Sequence, residues 1–126
     1  MLRIVIVLAL AGCAHTAADV VQRQLDAYNA RDIDAFAATY ADDVLITSGD
    51  GQVVLLGKEG LRERYGKAFS KYPNVRCRLS ERKTEGDHVV LDHEVITGYP
   101  GKPDPWDAGW VRYEVRDGKI KSVQLP

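Results

Sequence analysis

The spacing of the apolar residues changes at Pro73, and this change limits the folds that the chain can adopt. Before Pro73, apart from one short hairpin, apolar residues recur at intervals of three and four, which is typical of helices with one buried face. After Pro73 they alternate with polar residues, which is typical of strands in a sheet with one covered face. Helices followed by a run of strands predict an α+β fold in which the helices cover one face of an antiparallel sheet.

Three helices are predicted before Pro73. The first runs from about Ala17 to Ala30 and carries apolar residues at helical spacing. The second begins after Asp32, because a carboxylate suits the N-cap position, and its apolar face is predicted to extend to Tyr40. The third begins near Lys58 and ends before Pro73, since proline cannot continue a helix.

Six strands are predicted in the remaining segments. A hairpin signal, Ser48-Gly49-Asp50-Gly51, separates two short strands at residues 44–47 and 52–56. Longer strands are predicted near residues 75–83, 88–97, 110–116 and 120–125, with glycine-containing turns between most of them. The segment 98–107 holds three prolines and is predicted to be a long, stiff loop.

Alternation also predicts which strand residues point towards the helices. In the strand 88–97, one face is expected to point inward and the other to point outward. The residues assigned to the inner face are Val89, Leu91, His93 and Val95, and those assigned to the outer face are Val90, Asp92, Glu94 and Ile96. Asp92 and Glu94 are then expected to form exposed cross-strand ion pairs with arginines of the preceding strand, namely Arg76, Arg78 and Arg82.

The first residues of the chain predict a lipoprotein signal. A single arginine precedes the apolar stretch Ile4–Leu10, and small residues come directly before Cys13. The stretch is shorter than the roughly 20 residues that cross a bilayer as a helix. We expect a signal peptide over residues 1–12, a lipidated Cys13 with a tether over residues 13–18, and one domain over residues 19–126. The alternative is a buried strand that contains an incidental cysteine.

Lipidation of Cys13 would anchor the protein in the cell envelope, on the periplasmic face of the outer membrane in a Gram-negative cell. Removal of residues 1–12 would leave 114 residues with a net charge of −2, and this near-neutral charge argues against a nucleic-acid partner. With Cys13 acylated, Cys77 has no partner for an intramolecular disulfide.

Four stretches of the helical half carry a family resemblance. They are Val20–Arg23, Tyr28–Asp32, Tyr40–Val44 and Gly57–Leu61, and the later segments Asp92–Gly98 and Tyr113–Ile120 add to them. The most specific are the Asn-x-x-Asp break between two helices and the aromatic-Ala-Asp-Asp step into a strand. In these stretches the chain resembles the nuclear transport factor 2-like superfamily, which includes SnoaL-like polyketide cyclases and ketosteroid isomerases.

The resemblance implies a cone-shaped α+β roll, in which three N-terminal helices pack on a strongly bent mixed or antiparallel sheet. A pocket is then expected between helices and sheet, and a homodimer is expected through the open sheet face, where Trp110 and Arg112 lie. The alternative for Trp106 and Trp110 is packing at the edge of the sheet. The residues expected to line the pocket are Gln24, Tyr28, Tyr40, Tyr65, Trp106 and Tyr113.

The catalytic residues of ketosteroid isomerases do not carry over to this chain. Those enzymes use an aspartate base with a tyrosine and a protonated aspartic acid as hydrogen-bond donors. The positions that match hold Gln24 for the tyrosine, Ser48 for the base, and Trp110 or Val111 for the second acid. The resemblance therefore implies the fold without that chemistry.

Two functions remain open from the sequence. The missing isomerase residues favour a protein that binds a small apolar ligand, or a partner protein, in its pocket. The alternative is a cofactor-free isomerase, cyclase or dehydratase with His93 as general base and a tyrosine as donor, because imidazole readily exchanges a proton near neutral pH. His93 is otherwise a buried histidine that a tyrosine or backbone group satisfies. No metal site and no cofactor are expected, since His93 is the one histidine placed for such a role.

Overall fold

The computed structural model describes residues 15–126, and Cys13 with the predicted signal lies outside them. The helices are α1 (Ala17–Ala30), α2 (Ile33–Ala38) and α3 (Lys58–Lys71). The strands are β1 (Tyr40–Thr47), β2 (Val53–Leu56), β3 (Arg76–Glu85), β4 (Val89–Thr97), β5 (Trp106–Arg116) and β6 (Lys119–Gln124). No helix within residues 15–126 has both the length and the apolar run needed to cross a membrane.

Side-chain caps fix the starts of the first two helices. The Thr16 hydroxyl accepts a hydrogen bond from the Asp19 N–H, and the Asp19 carboxylate accepts one from the Thr16 N–H, which is a capping box. α1 therefore begins at Ala17, as its helical spacing predicts, and includes the last two residues of the stretch 13–18. Asp32 caps α2 through the Ala35 N–H, as predicted.

The second helix is shorter than predicted. It ends at Ala38, and Tyr40 opens β1, where it pairs with Ile120 of β6. The Tyr40 ring still packs in the core, with its centroid 5.0 Å from that of Phe36. A strand residue therefore fills the position that the helical spacing had assigned to α2.

The six strands form one sheet in the order β2-β1-β6-β5-β4-β3. Neighbouring strands run antiparallel except for β1 and β6, which run parallel, so the sheet is mixed. The three helices cover one face of it, and the α+β class is confirmed. β5 begins at Trp106, four residues earlier than predicted, because Trp106 pairs with Ile96 and extends the ladder with β4.

The prediction of the inner face of β4 was wrong. Val90 and Asp92 are fully buried under the helices, and Glu94 and Ile96 share their face. His93 lies on the opposite, outer face. Alternation divided the residues of β4 correctly into two sets that point in opposite directions. Because both sets contain apolar residues, the set that the helices cover was chosen wrongly.

Two bulges explain why the neighbouring strands also depart from simple alternation. The register of β3 against β4 shifts between Leu79 and Glu81, and that of β5 against β4 shifts next to Gly109. Beyond the first bulge Arg82 turns to the inner face, where it opposes Asp92 instead of lying on the outer face with Arg76 and Arg78.

Candidate functional site

A cavity of about 550 Å³ lies between the helices and the inner face of the sheet. Its walls are mainly aromatic and aliphatic, and most of the lining residues are buried or half-buried. Arg64 and Pro126 are the exposed residues of its lining. The volume falls in the range of sites that enclose a small organic molecule.

All six residues expected at the pocket line this cavity. Gln24 and Tyr28 come from α1, Tyr65 comes from α3, and the sheet supplies the others, which are Tyr40, Trp106 and Tyr113. The hydroxyl-bearing residues thus converge from both layers of the fold. Trp106 packs edge-on against Tyr99, with ring centroids 5.9 Å apart.

Glu94 is an acidic group of the cavity wall that the sequence had not placed there. It projects from the inner face of β4, and its Oε1 accepts a hydrogen bond of 2.6 Å from the Tyr113 hydroxyl. Burial among apolar groups raises the pKa of Glu94 to about 7, and the negative charge of Asp92 also raises it. The hydrogen bond from Tyr113 opposes this rise. Near neutral pH this carboxyl can therefore both take up and release a proton.

The tyrosines around Glu94 keep their protons. Burial raises the pKa of Tyr65 to about 12, and burial together with the nearby negative charges raises the pKa of Tyr40 and Tyr113 well above the usual value of 10. These phenols are therefore neutral hydrogen-bond donors at physiological pH. A carboxyl that exchanges protons and several permanent donors face the same apolar space.

An ion pair between the buried Asp92 and the half-buried Arg82 lies on the same face of β4 as Glu94. Arg82 binds Asp92 through two hydrogen bonds, Nε to Oδ1 at 2.6 Å and Nη2 to Oδ2 at 2.8 Å. Its Nη1 donates to Oε1 of Gln22, which ties the pair to α1. The cross-strand pair that the sequence predicted does form, but its carboxylate is buried, and it involves neither Arg76 nor Arg78. Arg82 thereby offsets one of the two negative charges near the cavity.

His93 does not reach the cavity, so its predicted role as base there was wrong. Its ring stacks on Trp110, with centroids 5.1 Å apart, and hydrogen-bonds Ser80 and Asp107 on the outer face. None of its hydrogen bonds goes to a tyrosine. The cause is that the helices cover the face of β4 that was expected to point outward. The positions expected for His93 and Glu94 are therefore exchanged.

Cys77 also lines the cavity, with its thiol buried. Burial and the nearby negative charges of Glu94 and Asp92 raise the pKa of this thiol, so it stays protonated and weakly nucleophilic. No three His, Cys, Asp or Glu side chains in residues 15–126 are arranged to hold a metal ion.

The comparisons with known proteins agree with this architecture. A profile of the SnoaL-like domain matches residues 21–123. The chain belongs to the SnoaL-like domain family. No functionally curated protein matches the sequence of this SnoaL-like protein.

Solved structures extend the comparison. An uncharacterised cystatin-fold protein from Novosphingobium aromaticivorans is 26% identical, with a TM-score of 0.78 over 89% of this chain and 98% of its own. A protein from Sinorhizobium meliloti, provisionally named a polyketide cyclase, is 22% identical, with a TM-score of 0.70 over 86% of this chain and 94% of its own. An NTF2-like protein of unknown function from Cytophaga hutchinsonii is 18% identical, with a TM-score of 0.69 over 88% of each chain.

Sequence reasoning missed Glu94 because the number of apolar residues on each face of β4 indicates the wrong inner face. The face of His93 carries three apolar residues, whereas the face of Glu94 carries two apolar residues and two acids. The complementary charges of Arg82 and Asp92 gave no contrary signal, because simple alternation had placed both on the outer face together with Arg76 and Arg78. The bulge in β3 lets the same pair form on the inner face instead.

Proposed function

We propose that this SnoaL-like protein is a cofactor-free enzyme that moves a proton on a small, largely apolar carbonyl compound, with Glu94 as general base. The observation that carries this proposal is the Glu94 carboxyl on the wall of an apolar cavity, where burial brings its pKa to about 7. A base whose pKa lies near the working pH is largely deprotonated and still binds a proton strongly enough to take it from the substrate.

The chemistry follows from the groups around Glu94. The carboxylate takes a proton from the carbon next to a carbonyl, and the electron pair of that C–H bond moves into the adjacent C–C bond while the carbonyl oxygen becomes negative. A neutral phenol of the cavity, such as Tyr40 or Tyr65, can stabilise that oxygen by donating a hydrogen bond. In an isomerisation, the protonated Glu94 returns its proton to a different atom of the same enolate. In a cyclisation, the enolate carbon first bonds to a second carbonyl carbon of the same molecule, and Glu94 then protonates the oxygen that this attack has made negative.

The lining supports this substrate class. Aromatic and aliphatic side chains favour rings or short hydrocarbon chains, and the phenols supply donors that suit carbonyl oxygens. The structural neighbour provisionally named a polyketide cyclase has a name that fits carbonyl chemistry. Because His93 lies outside the cavity, Glu94 replaces it as the proposed base.

Hydrogen exchange tests the proposal without knowledge of the natural substrate. The probe is 2-tetralone, a bicyclic ketone, incubated with the protein in D₂O, and mass spectrometry follows the replacement of its α-hydrogens by deuterium. We expect the wild type to accelerate exchange and Glu94→Gln to lose about 100-fold of that acceleration, the lower end of what a positioned base contributes. Glu63→Gln, which changes an exposed glutamate on α3, serves as the matched control.

Ligand binding without chemistry is the second candidate, and the Tyr113–Glu94 hydrogen bond favours it, because it satisfies the carboxyl internally. In that case 2-tetralone would raise the melting temperature of wild type and Glu94→Gln equally, with no exchange above the buffer rate. Tyr113→Phe separates the two further. If Glu94 is a base, this variant retains exchange but shifts its pH dependence to higher pH, because the phenol lowers the pKa of Glu94.

We also propose that the protein is anchored to the cell envelope through a lipid on Cys13. The support is the apolar stretch Ile4–Leu10 followed by small residues and cysteine. Intact mass of the protein from bacterial membranes should show loss of residues 1–12 and gain of acyl chains. A Cys13→Ser variant should leave the membrane fraction, whereas Cys77→Ser should stay in it. Retention of residues 1–12, or a membrane-bound Cys13→Ser, would contradict the anchor.

A further inference from the structure

Three polar side chains form a hydrogen-bonded chain on the outer face of the sheet, away from the cavity. Nδ1 of His93 lies 2.6 Å from the Ser80 hydroxyl oxygen, and Nε2 lies 2.7 Å from Oδ1 of Asp107. The imidazole thus joins a hydroxyl on one side to a carboxylate on the other. A hydroxyl, an imidazole and a carboxylate in this order are the components of an activated serine nucleophile.

The two bulges of the sheet produce this arrangement. In β3, Leu79 pairs with Glu94 and Glu81 pairs with His93, so Ser80 between them is the extra residue of the bulge and lies beside His93. On the other side, the β5 bulge adjoins Gly109, whose N–H donates to Oδ1 of Asp107 at 3.0 Å. Bulges often re-aim side chains next to active sites. Here one bulge brings the hydroxyl to the imidazole, and the N–H next to the other orients the carboxylate.

The hydrogen bonds assign the protons of the imidazole. The Asp107 carboxylate only accepts, and its bond to His93 lowers its pKa, so Nε2 carries the hydrogen. Nδ1 then presents its lone pair to the Ser80 hydroxyl at 2.6 Å. The backbone oxygen of His93 is a more distant acceptor for that hydroxyl, at 3.4 Å. Ser80 is therefore oriented to give its proton to Nδ1.

In the single chain, the surroundings leave the hydroxyl accessible. Ser80 is exposed, and β3 is an edge strand within the described residues, so a substrate can approach from the open side. Trp110 stacks on His93 and is 38% exposed, which provides a flat apolar surface beside the nucleophile. Lys83 lies over the Trp110 ring, with its nitrogen 5.0 Å from the ring centroid, and adds positive charge on this face.

We propose that Ser80, His93 and Asp107 form a second catalytic site, which transfers the acyl group of small aryl esters to Ser80 and then to water. The aryl group fits the exposed face of Trp110, and the small acyl group suits an open surface without a deep pocket. This site shares no residue with the cavity and does not depend on the chemistry of Glu94.

The reaction balances with water as the only co-reactant. The Ser80 oxygen attacks the ester carbon as its proton passes to Nδ1 of His93, and the carbonyl oxygen becomes negative. When the carbonyl re-forms, the bond to the aryl oxygen breaks and the proton on Nδ1 passes to the leaving phenolate. Water then attacks the acyl-serine with the same proton transfers, which releases the carboxylic acid and restores Ser80. Asp107 holds the imidazole and stabilises its positive charge throughout.

Acylation by 4-nitrophenyl acetate tests the proposal. Release of 4-nitrophenolate gives the rate, and peptide mass spectrometry locates the acetyl group. We expect acetylation of Ser80 in the wild type and a decrease of about 100-fold in the protein-dependent rate for Ser80→Ala and for His93→Gln. Ser70→Ala, which removes an exposed serine from α3, is the matched control and should behave as the wild type. Asp107→Asn should be acetylated more slowly than the wild type. The pH at which its acylation rate declines should also differ from that of the wild type.

Two results would overturn the proposal. The first is release of 4-nitrophenolate at wild-type rate by Ser80→Ala, with the acetyl group on lysines, because it would assign the reaction to surface amines. The second is a wild type that leaves Ser80 without an acetyl group even at concentrations at which size-exclusion chromatography shows it to be monomeric. That result would show that the uncovered hydroxyl is not a nucleophile.

Discussion

Replacement of Glu94 by glutamine is expected to change how the free energy of unfolding depends on pH. Burial raises the pKa of Glu94 from 4.5 to about 7 in the folded protein. Between these values the folded state keeps a proton that the unfolded state has released, so stability falls as the pH rises. The contribution of Glu94 is fully present below pH 4.5 and is lost as the pH rises to about 7.

The size of the effect follows from the same two values. A rise of the pKa from 4.5 to about 7 corresponds to about 3 kcal/mol, at roughly 1.4 kcal/mol for each pH unit. The glutamine side chain would keep the shape of the glutamate and could still accept the hydrogen bond from Tyr113, but it would not ionise. The free energy of unfolding of Glu94→Gln, relative to the wild type, should therefore increase by about 3 kcal/mol between about pH 4.5 and about pH 7.5.

Urea unfolding at a series of pH values measures this difference, with circular dichroism and tryptophan fluorescence as the two probes. Subtraction of the wild-type curve from the Glu94→Gln curve removes the contributions of all other titrating groups. Thermal unfolding should show the same trend, with a relative gain of roughly 10 °C in Tm over this range. Glu63→Gln controls for the loss of a carboxylate outside the cavity. Parallel curves for wild type and Glu94→Gln would refute the argument, because they would show that burial does not hold the proton on Glu94.

Three further predictions concern the fold and are measured by urea unfolding. Phe36→Ala should lose about 4 kcal/mol, because Phe36 is fully buried among four other aromatic rings, and a loss below about 1 kcal/mol would contradict that packing. Arg82→Ala should lose about 3 kcal/mol because it leaves the buried Asp92 without its partner, whereas the double variant with Asp92→Asn should recover part of the loss. Gly98→Ala should lose at least about 2 kcal/mol, since its φ is +74° and a Cβ would lie 2.5 Å from the Asn74 oxygen, and equal stability with the wild type would exclude this backbone contact. Gly118→Ala, at a similar φ but in open space, is its control and should lose less.

The local features of the fold could be predicted from the sequence because short-range chemistry determines them. Asp32 caps α2, Pro73 lies beyond the end of α3, and the helical spacing of apolar residues identifies the buried face of α1. The six residues expected at the pocket also line the cavity. Helix faces and the inner face of β5 follow from periodicity, and these elements supply most of the cavity wall.

The orientation of β4 could not be predicted in the same way. Alternation separates the set that contains His93 from the set that contains Glu94, but it does not say which set the helices cover. Each set carries apolar residues, and the set with more of them faces away from the helices, so hydrophobic content points to the wrong side. The choice depends on long-range pairing with β3 and β5 and on the bulges in those strands.

The sequence by itself therefore determined the helices and the strands, and its family resemblance implied a pocket lined by tyrosines. Only the tertiary structure decided which ionisable group faces that pocket, and it placed Glu94 there and His93 outside. The physical reason is that a one-residue shift in strand register reverses every side chain, while burial of a whole face depends on partners far away in the chain. The same long-range pairing brings Ser80 and Asp107 to His93, although 13 and 14 residues separate them from it along the chain.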